Sequence, residues 1–244
     1  MERAPSARAN SECATCALRS GTFAATLDAA DLGQLESVRT THSYQRGHFL
    51  FYEGNPCTGV FCVRSGVVKL VKNAPQGRRC TLALAGPGDL LGLEALVAGT
   101  AHGHGAAILA AGSVCQIERG PMLRFLEARP AFQRAALQQL ACGLQRSHGE
   151  IAQLAGGDVR ERTAHTLLLL ASRFGERVDG RTHVTLDLAR EDIAEMVGVA
   201  AETAIRQLSD LRRRGILSSE GRRLVVEDMD RLARLARPPA SEAS

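Results

Sequence analysis

One segment decides the fold of the C-terminal part of this chain: Ala189-Arg-Glu-Asp-Ile-Ala-Glu-Met-Val-Gly-Val-Ala-Ala-Glu-Thr-Ala-Ile-Arg-Gln-Leu-Ser-Asp-Leu211. Apolar residues recur at helical spacing on both sides of Gly198, and glycine suits the left-handed backbone conformation that ends a helix. The small Ala194 lets two helices cross closely. Two short helices joined by such a turn have the spacing of a helix-turn-helix, whose second helix enters the DNA major groove. The segment therefore predicts a protein that reads double-stranded DNA.

Charge is distributed unevenly along the 244 residues. The net charge is only +4, yet residues 206–237 contain nine Arg against five acidic residues. Such a local excess is typical of a DNA-facing module attached to a neutral one, and a solvated basic surface is the alternative interpretation. The sequence has no signal peptide pattern and no apolar run of membrane-spanning length. We therefore expect a cytoplasmic protein with no membrane partner, in which seven Cys form no disulfide framework.

Short strand-forming runs fill the region between residues 47 and 117. They cover residues 49–51, 60–63, 67–71, 81–84 and 114–117, and Gly, Asn and Pro separate them. Many short strands at this spacing predict an antiparallel barrel or sandwich. Short helices are expected at residues 27–38 and 121–127.

A much longer helix is predicted from Pro130 to about residue 156. Its apolar residues follow alternating three- and four-residue steps, which indicate a coiled-coil seam about three heptads long. The predicted seam comprises Leu137, Leu140, Leu144, Ser147, Ile151 and Leu154. The polar Ser147 and the neighbouring Gly149 weaken the seam at its centre. We expect a dimer interface here, and a helix packed on its own domain is the alternative.

The remaining C-terminal residues complete a compact helical module. Asp158 is a suitable N-cap for a helix over residues 159–173. Residues 175–183 read as a polar linker or a hairpin. Residues 216–226 predict a β-hairpin, or wing, that turns at Glu220 and Gly221.

A sensor-like β-roll, a long helix and a winged helix-turn-helix, in this order, resemble the CRP/FNR family of bacterial transcription regulators. The resemblance extends from Cys13 to Leu235, and its most specific motifs lie at residues 88–92, 159–162 and 201–206. It implies an α+β fold whose N-terminal antiparallel β-roll is of the cyclic-nucleotide-binding type. The implied domains are a Cys-containing segment (1–26), the β-roll sensor domain (27–129), the dimerisation helix (130–156), the winged helix-turn-helix (157–237) and a disordered tail (238–244). It also implies a homodimer that binds a palindromic DNA site and contacts RNA polymerase.

The resemblance also implies which residues contact DNA. The predicted set is Ala201, Glu202, Thr203, Ile205, Arg206, Arg212 and Arg213. Glu202 and Arg206 match the two base-reading positions, where Arg pairs with guanine O6 and N7 and Glu accepts from cytosine N4. An ion pair between these two residues at i,i+4 is compatible with that role. Thr203 and the basic run 212–214 are expected on phosphates. Ile205 replaces the Ser usual in the FNR branch, so we expect a different half-site.

The two branches of the family use different residues of the sensor domain. The CRP branch binds cyclic AMP through a Gly-Glu-Leu element and a downstream Arg-Ser/Thr pair. Here Leu93 follows Gly92, and His102-Gly-His104-Gly stands where the Arg is needed. With no cation for the phosphate and no acceptor for the ribose, we expect no cyclic AMP binding. We expect the two His in an exposed loop, and a haem or metal role is the alternative.

The FNR branch instead holds a four-iron four-sulfur cluster through N-terminal Cys residues and one Cys of the β-roll. Cys13-Ala-Thr-Cys16 and Cys115 resemble three of these ligands, but Thr22 stands where the next is expected. Such a cluster normally has four thiolates. Other residues that could complete the set are Cys57, Cys62, Cys80, or an oxygen ligand from Thr22 or water.

Two further interpretations of the cysteines need no cluster. Cys13 and Cys16 could form a dithiol switch, or the motif could be an inert relic. Cys62, Cys80 and Cys142 lie in apolar patterns and are expected to be small core residues.

The sequence thus predicts a homodimeric DNA-binding regulator controlled by redox state, oxygen or nitric oxide through its N-terminal domain. The signal would pass through the long helix near residues 147–151. A regulator that responds to an organic effector in the β-roll, without metal, is the alternative. Because the chain has no paired carboxylates, nucleophile elbow or phosphate loop, we do not expect an enzyme.

Overall fold

The computed structural model describes residues 28–74 and 79–236, apart from the side chains of Ala29, Leu32 and residues 153–156. The predictions for the N-terminal segment, including Cys13, Cys16 and Thr22, and for the tail 238–244 lie outside these residues. The described chain divides into an N-terminal unit, of residues 28–72 and 82–144, and a C-terminal unit, of residues 145–236 together with 73–74 and 79–81. Within the described ranges, no helix is long and apolar enough to cross a membrane.

Two four-stranded sheets form the β-roll of the N-terminal unit. The first has the order β1 (Arg39–Tyr44), β8 (Gly112–Glu118), β3 (Gly59–Val63) and β6 (Leu90–Leu91). The second has the order β2 (Phe49–Phe51), β7 (Gly105–Ala110), β4 (Val67–Asn73) and β5 (Arg79–Ala85). Adjacent strands of the first sheet pair antiparallel, as do β2 with β7 and β4 with β7. The predicted strand runs are confirmed, and β1, β6 and β7 were not predicted.

Alternating residues of the first sheet face two different cores. The roll core lies between the sheets and contains Phe51, Phe61, Val63, Val68, Ala85, Leu91, Ala106, Ile108 and Val114. The helix-side core contains Leu35, Cys57, Val60, Leu90, Leu93, Ala95, Leu96, Ile117, Met122, Phe125, Phe132 and Ala136. Along β3, Phe61 and Val63 belong to the roll core, whereas Val60 and Cys62 contact the helix-side core. This period of two is the normal consequence of strand geometry.

Four helices contribute to the helix-side core. They are α1 (Ala29–Val38), α2 (Leu93–Ala98), α3 (Arg119–Ala128) and α4 (Pro130–Gly156). Phe132 and Ala136 of α4 are buried there, so the beginning of the long helix is fixed by packing. The predicted bounds of α4 are confirmed, and α2 was not predicted.

The C-terminal unit is a winged helix-turn-helix. Its helices are α5 (Val159–Phe174), α6 (Arg190–Val197), α7 (Ala201–Arg213) and α8 (Met229–Leu235). Its strands β9 (Gly175–Val178), β10 (Arg181–Val184), β11 (Leu217–Glu220) and β12 (Arg223–Val226) form one sheet in the order β11-β12-β10-β9. Asp158 caps α5 as predicted, in a reciprocal capping box with Glu161. The predicted wing turn is wrong by one residue, because Glu220 still pairs with Arg223 and the turn is Gly221-Arg222. The α+β fold is confirmed, and α8 was not predicted.

Candidate nucleic-acid interface and regulatory sites

The helix-turn-helix is built around Gly198. This residue ends α6 with a φ of +74°, and its N–H donates to Ala194 O at 2.9 Å. Since a side chain is strained at this φ, glycine is the residue that the turn requires. Ile193, Ala194 and Val197 of α6 are buried, as are the inward residues of α7. The predicted helix-turn-helix is confirmed.

The outer face of α7 carries the predicted base-reading residues. Glu202, Ile205 and Arg206 are exposed within little more than one helical turn, and Ala201 and Thr203 are half-buried beside them. Arg206 Nη2 donates to Thr203 Oγ1 at 3.4 Å, one turn back along the helix. Ile205 is 45% exposed, although aliphatic side chains normally avoid water. The face offers a hydrogen-bond acceptor, an apolar contact and a guanidinium fork, which are the groups that read base edges.

The basic run after this face is partly neutralised within the protein. Arg213 Nη2 lies 2.6 Å from Asp210 Oδ1, and Arg214 Nε lies 2.8 Å from Asp210 Oδ2. The hydrogen bond from Arg213 lowers the pKa of Asp210, and the charges of Arg214 and Arg160 act in the same direction. Arg212 is half-buried and donates to Ser219 Oγ on β11 at 3.1 Å, so it ties α7 to the wing. Phosphate contacts by Arg212 and Arg213 therefore stay a prediction, and such contacts would compete with these bonds.

Sequence reasoning missed a second cationic surface, where the wing turn approaches the beginning of α6. A shallow pocket there is lined by Leu188, Ala189, Arg190, Glu191, Gly221 and Arg222. Burial and the neighbouring charge of Arg212 lower the pKa of Arg190. Arg190 Nη1 is buried and has no hydrogen-bond partner among the described residues. The signal that could have revealed this surface is the Arg222-Arg223 pair at the wing turn.

Exposed apolar residues form a stripe along α4. Leu137, Leu144 and Ile151 follow one another at seven-residue intervals and are 64%, 58% and 62% exposed. Ser147 lies exposed between them. Leu140, also predicted for the seam, is half-buried against the helix-side core, and the side chain of Leu154 lies outside the described ones. The stripe therefore has one large apolar residue per heptad that is more than half exposed, and Leu140 packs against the helix-side core.

The β-roll brings two cysteines together. Cys115 of β8 is buried, and its partner in register on β3 is Cys62, which is half-buried. Thr41 Oγ1 lies 3.4 Å from Cys115 Sγ, and Arg39 Nη1 donates to the same sulfur at 3.8 Å.

The other described cysteines are Cys57, Cys80 and Cys142. Cys57 is buried, and its Sγ donates to Gly59 O at 3.5 Å. Cys80 is half-buried on β5. The expectation that Cys142 is a core residue is wrong, because its place on α4 is exposed. No group of three or more His, Cys, Asp or Glu is arranged to hold a metal ion within residues 28–74 and 79–236.

The two predicted loop histidines have different environments. The expectation of exposure is wrong for His102, which is 2% exposed and stacks on Phe51 with ring centroids 3.8 Å apart. Burial lowers its pKa, against the opposing charge of Glu94. Its two ring nitrogens have no hydrogen-bond partner in the described part of the chain. His104 is half-buried, and its Nε2 lies 3.0 Å from Glu94 Oε1.

Comparison with known proteins matches both units to characterised domains. Residues 41–129 match the cyclic nucleotide-binding domain, and residues 161–235 match the Crp-like helix-turn-helix domain. The CRP-like cAMP-activated global transcriptional regulator of Mycobacterium tuberculosis is 34% identical over 194 residues, which cover 80% of this chain and 87% of that protein. The fumarate and nitrate reduction regulatory protein of Escherichia coli is 26% identical, over 92% of this chain and 90% of that protein. The solved structure of FixK2 from Bradyrhizobium japonicum has a TM-score of 0.72 and 29% identity, over 83% of this chain and 100% of that one.

The exposed face of α7 on a winged helix-turn-helix, attached to a β-roll, defines a DNA-binding transcription regulator. The matches specify the class further: the chain belongs to the CRP/FNR family. This family consists of transcription regulators and not of enzymes, as the sequence predicts.

Proposed function

We propose that the protein acts as a homodimer on a palindromic DNA site, under the control of redox state, oxygen or nitric oxide. The observation that carries the proposal is the exposed face of Glu202, Ile205 and Arg206 on α7. Family membership supports contact with RNA polymerase as a further interaction. In this proposal the exposed stripe of α4 is the dimer contact, because a two-fold axis along a long helix buries the same residues of both copies.

The face of α7 supports a definite half-site chemistry. Arg206 would make the bidentate contact with guanine, and Glu202 would accept a hydrogen bond from cytosine N4. Ile205 cannot donate a hydrogen bond, and its exposed side chain fits a thymine methyl group. Two such faces related by a two-fold axis predict half-sites about one helical turn apart.

In this proposal, cysteines of the N-terminal part of the chain detect the signal. The name of the Escherichia coli relative connects it with fumarate and nitrate reduction, and this supports a redox or oxygen input. A four-iron four-sulfur cluster needs four thiolates, whereas the described residues bring together only Cys62 and Cys115. The described part alone does not fit such a cluster, and a cluster would also need Cys13 and Cys16. When bound, it would supply iron that reacts with oxygen or nitric oxide.

We still expect that this chain does not bind cyclic AMP, although the Mycobacterium tuberculosis relative is cAMP-activated. The stretch from His102 to Gly105 stands where the phosphate-binding Arg is needed. Within it His102 is buried on Phe51, and burial lowers its pKa. A neutral imidazole in this position gives the cyclic phosphate no positive charge. Leu93 is buried in the helix-side core, where the ribose acceptor would be needed.

Selection of sequences from a random DNA pool, with protein purified under nitrogen and in air, tests the DNA-binding part. We expect a palindrome with a guanine contact that Arg206→Ala abolishes. A protein that selects no sequence under either condition would contradict the proposal.

An absorption spectrum with iron and sulfide analysis of the anaerobic protein tests the cluster, with Cys13→Ala and Cys115→Ser as variants and Cys142→Ser as the matched control. We expect iron in the parent and in Cys142→Ser, and less in the other two. A colourless, iron-free protein would refute the cluster and favour an organic effector in the β-roll.

A further inference from the structure

Cys62 and Cys115 belong to a row of residues that crosses the whole first sheet. Thr41 of β1 pairs with Cys115, Cys115 with Cys62, and Cys62 with Leu90 of β6. Residues directly opposite one another in antiparallel strands project on the same face. Since Leu90 belongs to the helix-side core, both sulfurs lie on the face that packs against the helices.

The pairing type fixes the spacing of the two cysteines. Arg64 N donates to Ser113 O at 2.9 Å, and this pair lies two residues further along both strands. Because pair types alternate, Cys62 and Cys115 also form a hydrogen-bonded pair, for which Cα atoms lie about 5.5 Å apart. Disulfides accept Cα separations of about 4.4–6.8 Å, but they draw the Cβ atoms to about 3.8 Å. A bond at this position is therefore within reach, and closing it pulls the two strands together.

We propose that Cys62 and Cys115 form a reversible cross-strand disulfide when a hydroperoxide oxidises the protein. With hydrogen peroxide as the oxidant, Cys62, the more exposed of the two, attacks one oxygen and the O–O bond breaks. The other oxygen takes the Cys62 thiol proton and leaves as water. The sulfur of Cys115 then displaces the hydroxyl group of the Cys62 sulfenic acid. The hydroxyl takes the remaining thiol proton and leaves as a second water. In total, two thiols lose two electrons and two protons, and one hydroperoxide is reduced. A dithiol reductant reverses the reaction by thiol–disulfide exchange.

Cys62 and Cys115 lie where a new disulfide would affect the packing of the long helix α4. Cys62 contacts the same helix-side core that holds Phe132 and Ala136 of α4, and Leu140 packs against this core too. A bond that draws β3 toward β8 therefore shifts the surface on which α4 rests. Strain of this kind also makes a disulfide easier to reduce, which suits a reversible switch. The inference rests on the proposed function only where DNA binding is the measured output.

Mapping of disulfides in the full chain tests the chemistry directly. Metal-free protein is treated with hydrogen peroxide, its remaining thiols are alkylated, and its peptides are analysed without reduction. We expect one linked pair of peptides, containing Cys62 and Cys115, that dithiothreitol separates. It should persist in Cys142→Ser and in the double variant Cys13→Ser/Cys16→Ser. The proposal is overturned if both cysteines are still alkylated after oxidation, or if they are linked to other cysteines. This result comes from the parent protein, so it does not depend on whether a variant folds.

Binding to the selected DNA site tests the regulatory consequence. We expect oxidation to change the Kd of the parent and of Cys142→Ser by about 5- to 150-fold, and that of Cys62→Ser far less. A disulfide that forms with no change in Kd would overturn its regulatory role. Loss of iron from anaerobic Cys62→Ser, with no disulfide in the parent, would make Cys62 a cluster ligand and overturn the switch. If neither the reduced nor the oxidised protein binds a selected sequence, the proposed function fails. The disulfide mapping still shows whether Cys62 and Cys115 form the bond.

Discussion

Truncation of Leu144 to Ala should weaken the proposed dimer without unfolding the protomer. Leu144 is 58% exposed, so the dimer is where most of its side chain can be buried. Full burial of a Leu side chain contributes about 1.5–3 kcal/mol, and Ala keeps only the β-carbon. Scaled by the exposed fraction, the loss is about 1–1.5 kcal/mol per copy and about 2–3 kcal/mol for two copies. The dimer dissociation constant should therefore rise about 30- to 150-fold.

Sedimentation equilibrium over a wide range of protein concentration measures this constant. The matched control is Val97→Ala, because Val97 is similarly exposed, at 53%, and lies on a different helix, α2. Its dissociation constant should stay within about twofold of the parent, since surface substitutions away from an interface cost less than about 0.5 kcal/mol. Equal constants for the parent and Leu144→Ala would refute the argument that α4 buries this stripe. An equal rise in both variants would show that exposure alone, and not position, decides the effect.

Three further results are expected. Arg206→Ala should reduce affinity for the selected site by about 1–3 kcal/mol and relax the preference at one base pair per half-site, whereas Arg213→Ala should weaken all sequences alike, as competition binding measures. Asp158→Ala should lower the free energy of unfolding by about 1 kcal/mol in urea titrations, because the capping box is lost, and an unchanged midpoint would contradict this. Because burial lowers the folded-state pKa of His102 from 6.5, protonation favours the unfolded chain. Stability should therefore fall as pH drops below about 6.5, and His102→Phe should flatten this dependence in urea titrations at pH 7.5 and 5.5.

Features set by local chemistry could be predicted from the sequence. Gly198 ends α6, Asp158 caps α5 and Pro130 begins α4, each because of a backbone preference of that residue. Strand β7 was missed because Gly105–Ala110 is built mainly of Gly and Ala, which have little strand preference. It forms because β2 and β4 pair with it on either side.

Among the candidate sites, too, those built from residues close in sequence could be predicted, and those built from distant strands could not. The exposed face of α7 follows from helical spacing alone, and the contacts of Asp210 with the basic run were available from its i,i+3 and i,i+4 positions. The burial of His102 depends on Phe51, which arrives from a distant strand. The Cys62–Cys115 pair depends on the register between β3 and β8. Neither follows from residues that are neighbours in sequence.

The ion pairs of Asp210 bear on how the protein would search a genome. Non-specific affinity for DNA grows with the number of phosphates that free cations neutralise, and each contact adds to the time spent on random sequence. A phosphate would compete with the Asp210 carboxylate for Arg213 and Arg214, and this competition has a cost in free energy. Because this cost applies at every sequence, Asp210 would weaken binding to bulk DNA and to the specific site by the same factor. It would therefore shorten the time spent on random sequence and leave the discrimination between sites to the base contacts of Arg206.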